Sequence, residues 1–197
     1  MVEIKMEQKE VILDVLAKAK QQGVNAFLGG GWVRDTLLGK TPKDVDIFVL
    51  GEQSTFLTKY FPKHVTHHPL DVGASYGKSV DYGGSGDSIR EDVDKIEKYD
   101  IGDLDIIYMK HSTILSACSS FDSSICQCYA ILDEEGNLCY YVSDDFKEYE
   151  DNNTIYFYSD IQTTEGHIER IKSKFPDATY KDKMLTESKP YTQVFVK

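Results

Sequence analysis

The segment that most restricts the fold is Asp44 to Leu50, which reads Asp-Val-Asp-Ile-Phe-Val-Leu. It alternates acid and apolar at its start and then runs continuously apolar, the pattern of a strand in the middle of a sheet. Alternate side chains of a strand point the same way, so Asp44 and Asp46 project together from one face near its beginning. Two carboxylates that close repel each other unless a cation stands between them. Mg²⁺ (or Mn²⁺) suits such a place, because Mg²⁺ takes a few carboxylates, keeps waters and completes its shell with substrate phosphates. A second acid-bearing strand, Asp103 to Met109, offers Asp105 as a third carboxylate, enough for two ions. Asp103 shares that strand's face in this reading. Asp105 is preferred because Leu104 and Ile106 flank it with apolar residues, as a central strand requires.

Ahead of Asp44, Asn25 to Gly31 is a short apolar run ending in three glycines, and Trp32 to Gly39 makes two helical turns closed by glycine. Lacking a Cβ, Gly30 and Gly31 let backbone N–H groups come close to phosphate oxygens at the positive N-terminus of that helix. Glycine turn and carboxylates together hold a triphosphate and stabilise the charge that develops at phosphorus under attack.

The remaining chain organises around this centre. Met6 to Gln22 sets Val11, Ile12, Val15 and Leu16 on one face of an amphipathic helix stopped by Gly23. Residues 53–61 read as a short helix, 62–87 as a long loop rich in Gly, Ser, His and Tyr, and 88–98 as a helix opened by a capping box, Ser88 and Glu91. Ser112 to Ser119 is a short helix, and 125–132 with 138–142 form a hairpin around residues 133–137. Residues 144–154 are an acidic connection, 155–159 a Tyr-rich strand and 164–175 a basic-leaning helix halted by Pro176, after which no pattern is visible. The fold class is α/β, a mixed sheet carrying Asp44, Asp46 and Asp105 on one face with helices packed on the other. One domain spans residues 1–176 and a C-terminal tail residues 177–197.

Composition narrows the partners. The net charge of −11 excludes a general nucleic-acid coat, since nonspecific affinity comes from neutralising phosphates with cations. No apolar run approaches the roughly 20 residues that span a bilayer, and the first twenty residues mix charges into every apolar stretch, unlike a secretion signal. The cytoplasm is the expected compartment. Cys118, Cys126, Cys128 and Cys139 lack the spacing of zinc knuckles or a disulfide framework, and Cys126 and Cys128 are read as small buried hydrophobes on one strand face.

Leu28 to Gly39, Leu-Gly-Gly-Gly-Trp-Val-Arg-Asp-Thr-Leu-Leu-Gly, followed by Asp44-Val-Asp-Ile, resembles the signature of the nucleotidyltransferase superfamily. It is most similar to the head domain of bacterial-type poly(A) polymerases and CCA-adding tRNA nucleotidyltransferases, which carry Gly-Gly-x-Val-Arg-Asp, then Leu-Leu-Gly, then Asp-x-Asp. Gly30, Gly31, Val33, Arg34, Asp35, Leu37, Leu38, Gly39, Asp44 and Asp46 match residue for residue. The resemblance implies a nucleotidyltransferase-like fold, catalytic metal on Asp44 and Asp46, and a triphosphate held by the Gly turn and Arg34, with Asp35 beside them. Phe121 to Tyr129 is similar to the family's ribose-reading motif, with Asp122 in the Asp place, but Phe121 stands for the family's arginine and Cys126 for its asparagine. His167 to Lys174 resembles the family's Arg-rich helix leaving the head domain. The Glu-Asp-x-x-Arg base-reading element and the tRNA-holding body have no counterpart, so the chain resembles a head domain standing alone, as in small phage-type enzymes.

Other candidates carry bland readings. His64, His67, His68 and Asp71 lack the fixed spacing of a zinc site. The glycine-rich stretch Tyr76 to Ser88 is either a flap over the nucleotide or an insertion. Arg170, Lys172, Lys174, Lys181 and Lys183 form a basic region best read as a solvated face, and Trp32 is expected to pack rather than stack on a base. The expected function is transfer of a nucleoside monophosphate from an NTP, ATP included, to an acceptor hydroxyl. RNA, tRNA among it, is the first acceptor and protein a second. The rival is a noncatalytic decoy or regulator that keeps the fold to bind nucleotide or RNA.

Overall fold

Helix α1 (Met6–Gln21) forms because Val11, Ile12, Val15, Leu16 and Ala19 fall on one side at helical spacing and are all buried. Each large aliphatic side chain so removed from water contributes roughly 1.5–3 kcal/mol. The computed structural model describes residues 6–51, 70–71, 92–99, 101–161, 163, 165–185 and 190–196. The short helix at 53–61, the long loop apart from residues 70–71, the capping box of Ser88 and Glu91, the His64, His67 and His68 group and the Tyr76 to Ser88 stretch lie outside the described residues, as does the side chain of Asp71.

After α1 come β1 (Ala26–Gly29), α2 (Gly30–Leu37), β2 (Val45–Leu50), β3 (Leu70–Asp71), β4 (Val93–Tyr99), a 3-10 turn at Ile101–Asp103 and β5 (Leu104–Met109). The chain continues through α3 (Ile114–Ser119), a 3-10 turn at Ser124–Cys126, β6 (Cys128–Leu132), β7 (Leu138–Ser143), α4 (Asp144–Asn152), β8 (Thr154–Tyr158), α5 (Glu165–Lys174), β9 (Thr179–Lys183) and β10 (Tyr191–Val194). Among the described residues the main sheet runs β10-β7-β6-β1-β2-β5-β4-β3, with β2 and β5 parallel and the other pairs antiparallel, while β8 and β9 pair in parallel as a second small sheet. The expected mixed α/β architecture is what forms.

Pleating separates the side chains into two apolar layers. Leu28, Ile47, Ile106 and Ala130 pack with α1, Trp32 and Val33 of α2, Phe146 of α4 and Ile171 of α5. On the opposite face Phe27, Phe48, Ile107 and Tyr129 are covered at one end by Ala117 and Cys118 of α3 and by Phe121. The acidic residues of β2 and β5 lie on that second face, at its other end.

Several expectations are corrected. Where a helix is expected at 88–98, the described residues from Val93 onward form strand β4: Val93 and Ile96, three apart, look helical, but a register shift after Val93 puts both on the same face of the sheet. The acidic connection at 144–154 contains α4, whose first turn is capped by the Ser143 hydroxyl accepting from the Phe146 N–H, and which ends at Asn153 with φ +52°. The segment after Pro176, read as a patternless tail, supplies β9 and β10, each paired to an earlier strand. Asp103 does not share the face of β5. It is exposed in the preceding 3-10 turn at φ +53°. Cys126 likewise closes a 3-10 turn rather than lying in a strand with Cys128.

Candidate active site

Strand registry assembles the site. Asp46 of β2 is paired with Gly29 of β1 on one side and with Asp105 of β5 on the other, and Lys98 of β4 is paired with Asp105. Paired residues of adjacent strands share a face, so Gly29, Asp46, Asp105 and Lys98 form one row across four strands. Sequence reading omits Lys98, because its segment has helical spacing. Its ammonium donates to Asp105 Oδ2 at 2.6 Å. Asp44, one residue before β2, is exposed, yet close enough for its charge to bear on Asp46.

The chain leaves β1 beside Asp46 and must turn at once into α2. Gly30 does so at φ +64°, and a Cβ there would stand 2.9 Å from Asp46 Oδ2. Two demands therefore fall on one residue: a left-handed backbone and direct approach of main chain to carboxylate. The N-terminus of α2 has no side-chain cap, which leaves its amide groups facing the carboxylate end of the row.

Arg34 reaches back beneath this turn, its Nη2 lying 3.3 Å from where a Gly31 Cβ would be. It is buried, donates from Nε to Asp35 Oδ1 at 2.8 Å, and sits over the Phe175 ring at 5.6 Å. Asp35, also buried, accepts from Lys174 of α5 at 2.8 Å. Burial opposes the Asp35 charge, but Arg34 and Lys174 outweigh it and hold the carboxyl below its usual range. Asp35 is thus a strut between α2 and α5 as well as Arg34's partner. Asp122 lies further along, its carboxylate accepting from the Thr163 hydroxyl and meeting His167 Nε2 at 3.2 Å. Phe121 is buried against Phe48, ring centroids 5.3 Å apart. The structure therefore pairs Asp46 with Asp105 and sets the Gly30 turn against Asp46, with Asp44 near enough for its charge to be felt, Gly31, Arg34 and Asp35 on the following helix, and Asp122 apart with Thr163 and His167. Of the basic region, Lys174 is paired with Asp35, Lys183 with Asp145 at 2.9 Å, and Lys172 lies over Tyr180. Trp32 is 1 % exposed and packs in the core as expected.

Burial pushes Asp46 up to about 7, with Asp105 and Asp44 adding repulsion and Lys98 and Arg34 opposing. Its side chain keeps partial contact with solvent, so the neighbours' repulsion is the more durable part of that rise. Crowded carboxylates beside uncapped amides form a place for a hard cation shared with an anion. Among the described residues no three His, Cys, Asp or Glu side chains gather closely enough to hold a metal ion by themselves. Mg²⁺ is commonly held by one or two carboxylates plus substrate phosphates and water, and the Asp46–Asp105 pair suits such an ion.

Residues 26–79 match the family described as Poly A polymerase head domain. The CCA-adding enzyme of Leuconostoc mesenteroides is 38 % identical over 66 residues, 32 % of this chain and 14 % of that protein. Poly(A) polymerase I of Haemophilus influenzae is 51 % identical over 35 residues, 18 % of this chain and 8 % of that protein. The chain thus spans a small part of these relatives' length. Among solved structures, the Thermotoga maritima CCA-adding enzyme complexed with tRNA superposes with a TM-score of 0.57 over 90 % of this chain and 40 % of that one, at 16 % identity. A CCA-adding enzyme complexed with ATP gives 0.58 over 90 % and 40 %, at 14 % identity. The chain shares the fold of these solved CCA-adding enzymes. Its residues 26–79 are similar to the head domain of poly(A) polymerases and to segments of a CCA-adding enzyme and a poly(A) polymerase. No helix among the described residues is long and apolar enough to cross a membrane.

Proposed function

We propose that the chain is a metal-dependent nucleotidyltransferase that moves a nucleoside monophosphate from an NTP to an acceptor hydroxyl, an RNA 3′ end first among acceptors. The observation that carries this reading is the row Gly29, Asp46, Asp105 with the Gly30 turn that opens α2 set directly against Asp46. Asp44, Asp46 and Asp105 are the residues that would hold Mg²⁺ or Mn²⁺. When bound, such an ion offsets the triphosphate charge and helps ionise the acceptor hydroxyl. The chain's own parts do the rest. Amides of the Gly30–Gly31 turn take phosphate oxygens at the helix N-terminus. Arg34, fixed by Asp35, keeps that turn positive, and Lys98 compensates Asp105 in the free protein. Asp122 stands where the resembled motif reads the sugar. Structural neighbours carry CTP, ATP and tRNA in their names, which supports NTP as donor and tRNA among the acceptors.

One observation favours a noncatalytic nucleotide- or RNA-binding role: Phe121, where the resembled motif has an arginine, is buried in the core. Incubation with each α-labelled NTP, Mg²⁺ or Mn²⁺, and total RNA or protein extract separates the two. Label passing to RNA with wild type and lost in Asp46→Asn is the expected result. Binding of NTP without transfer under every condition favours the second role, and label travelling with protein moves the acceptor.

A further inference from the structure

Lys98 completes the row on the β4 side, and the opposite face of the sheet holds it there. Glu97, next to it in β4, is 0 % exposed, and its Oε2 accepts from the Tyr99 hydroxyl at 2.8 Å and from the Tyr108 hydroxyl at 2.9 Å. Both tyrosines pack in the layer that contains α1, one coming from β4 and the other from β5. A buried carboxylate needs such partners, and because they come from both strands, the bonds lock β4 and β5 in the register that sets Lys98 opposite Asp105. A slip by one residue would turn Glu97 out of this layer and Lys98 into it. The Lys98 side chain is 27 % exposed and that of Asp105 12 %, so the 2.6 Å pair between them is partly shielded from water.

We propose that Lys98 takes the place of a second metal ion at Asp105, so that this end of the sheet binds one divalent cation and not two. The proposal rests on the reading of the row as a metal-dependent nucleotide site, and goes beyond it by fixing the number of ions and the residue that sets it. Lys98 acts through Asp105 and is a positioning residue.

Charge counting supports the same assignment. Asp44, Asp46 and Asp105, when ionised, bring three negative charges and Lys98 one positive charge, which leaves two, the charge of a single dication. The ammonium is a compact point charge with three donors, and it bears on Asp46 as well as on Asp105. A second dication at Asp105 would stand close to both the ammonium and the first ion, and like charges at that spacing repel strongly where water is partly excluded. Removal of the Lys98 charge leaves Asp105 uncompensated and opens the place for that second ion.

Mn²⁺ is titrated into the full chain without nucleotide, and the free ion is followed by electron paramagnetic resonance. Ions held elsewhere on a chain of net charge −11 are subtracted by the same titration of Asp46→Asn with Asp105→Asn. Wild type and Lys98→Arg are expected to bind one Mn²⁺ above that baseline. Lys98→Met and Lys98→Gln are expected to bind two, the first about tenfold more tightly than in wild type. A purely structural role for Lys98 would lower the melting temperature of these variants without adding an ion. Two ions on the wild type, or one ion on a folded Lys98→Met or Lys98→Gln protein, overturn the proposal and leave the metal-site reading standing. No ion above baseline in any of the proteins overturns both. Where one of the charge-removing variants does not fold, the other decides.

Discussion

Asp46 is the residue on which the proposed chemistry turns, and its titration is measurable without substrate. Its folded value of about 7 lies above the ordinary aspartate value of 3.8, so folding takes up a proton between the two. The stability linked to this group is fully present below about pH 4 and is lost as pH rises through about 7. Asparagine mimics the protonated form and removes the dependence. In EDTA, the melting temperature of Asp46→Asn relative to wild type should therefore climb from pH 5 to about pH 7 and level off above it, while Mg²⁺ should stabilise the wild type and not the variant. A difference that is flat with pH would contradict the crowding of Asp46 by Asp105 and Asp44.

At the scale of elements, the tie between α2 and α5 runs through Asp35, which holds buried Arg34 on one side and the 37 %-exposed Lys174 side chain on the other. Asp35→Ala leaves a buried guanidinium without its carboxylate and should cost about 3–5 kcal/mol, whereas Lys174→Ala removes an outer partner and should cost about 1 kcal/mol or less. Urea unfolding of the two variants checks this, and equal costs would mean that Arg34 does not depend on Asp35. Legibility in the sequence divides at the same scale. The stretch from β1 to β2 is readable because glycines and alternating acids fix its turns locally. Strand β4 is not, because a register shift depends on its partner β5 and leaves Val93 and Ile96 at helical spacing. Lys98 is hidden for that reason: nothing local says that residue 98 will lie opposite residue 105. Helix α4 was within reach, since Ser143 followed by Asp144 and Asp145 is an N-terminal signal, masked here by the acidity of the whole segment. Strands β9 and β10 owe their form to pairing with β8 and β7, and their own residues carry little apolar pattern.

Across the whole molecule, a chain of net charge −11 concentrates three carboxylates at one end of a sheet and places an uncapped helix N-terminus and a buried arginine beside them. A net charge of that sign disfavours phosphate on average, so under the proposed function phosphate would be taken at this end only together with a divalent cation. The long-range part of the arrangement, parallel β2 and β5 side by side, is what turns two separated acidic strands into one site. The most direct test is thermal unfolding with each NTP, Mg²⁺, both and neither, for wild type and for Asp46→Asn with Asp105→Asn. At about a hundred times the dissociation constant, ligand that binds only the folded chain adds about 2.7 kcal/mol, or about 5–10 °C for a protein of this size. The expected result is a rise of that order in the wild type for at least one NTP only when Mg²⁺ is also present, and its absence in the double variant. An equal rise in both proteins, or none in the wild type with any NTP, would contradict the assignment of this end of the sheet as a metal-dependent nucleotide site.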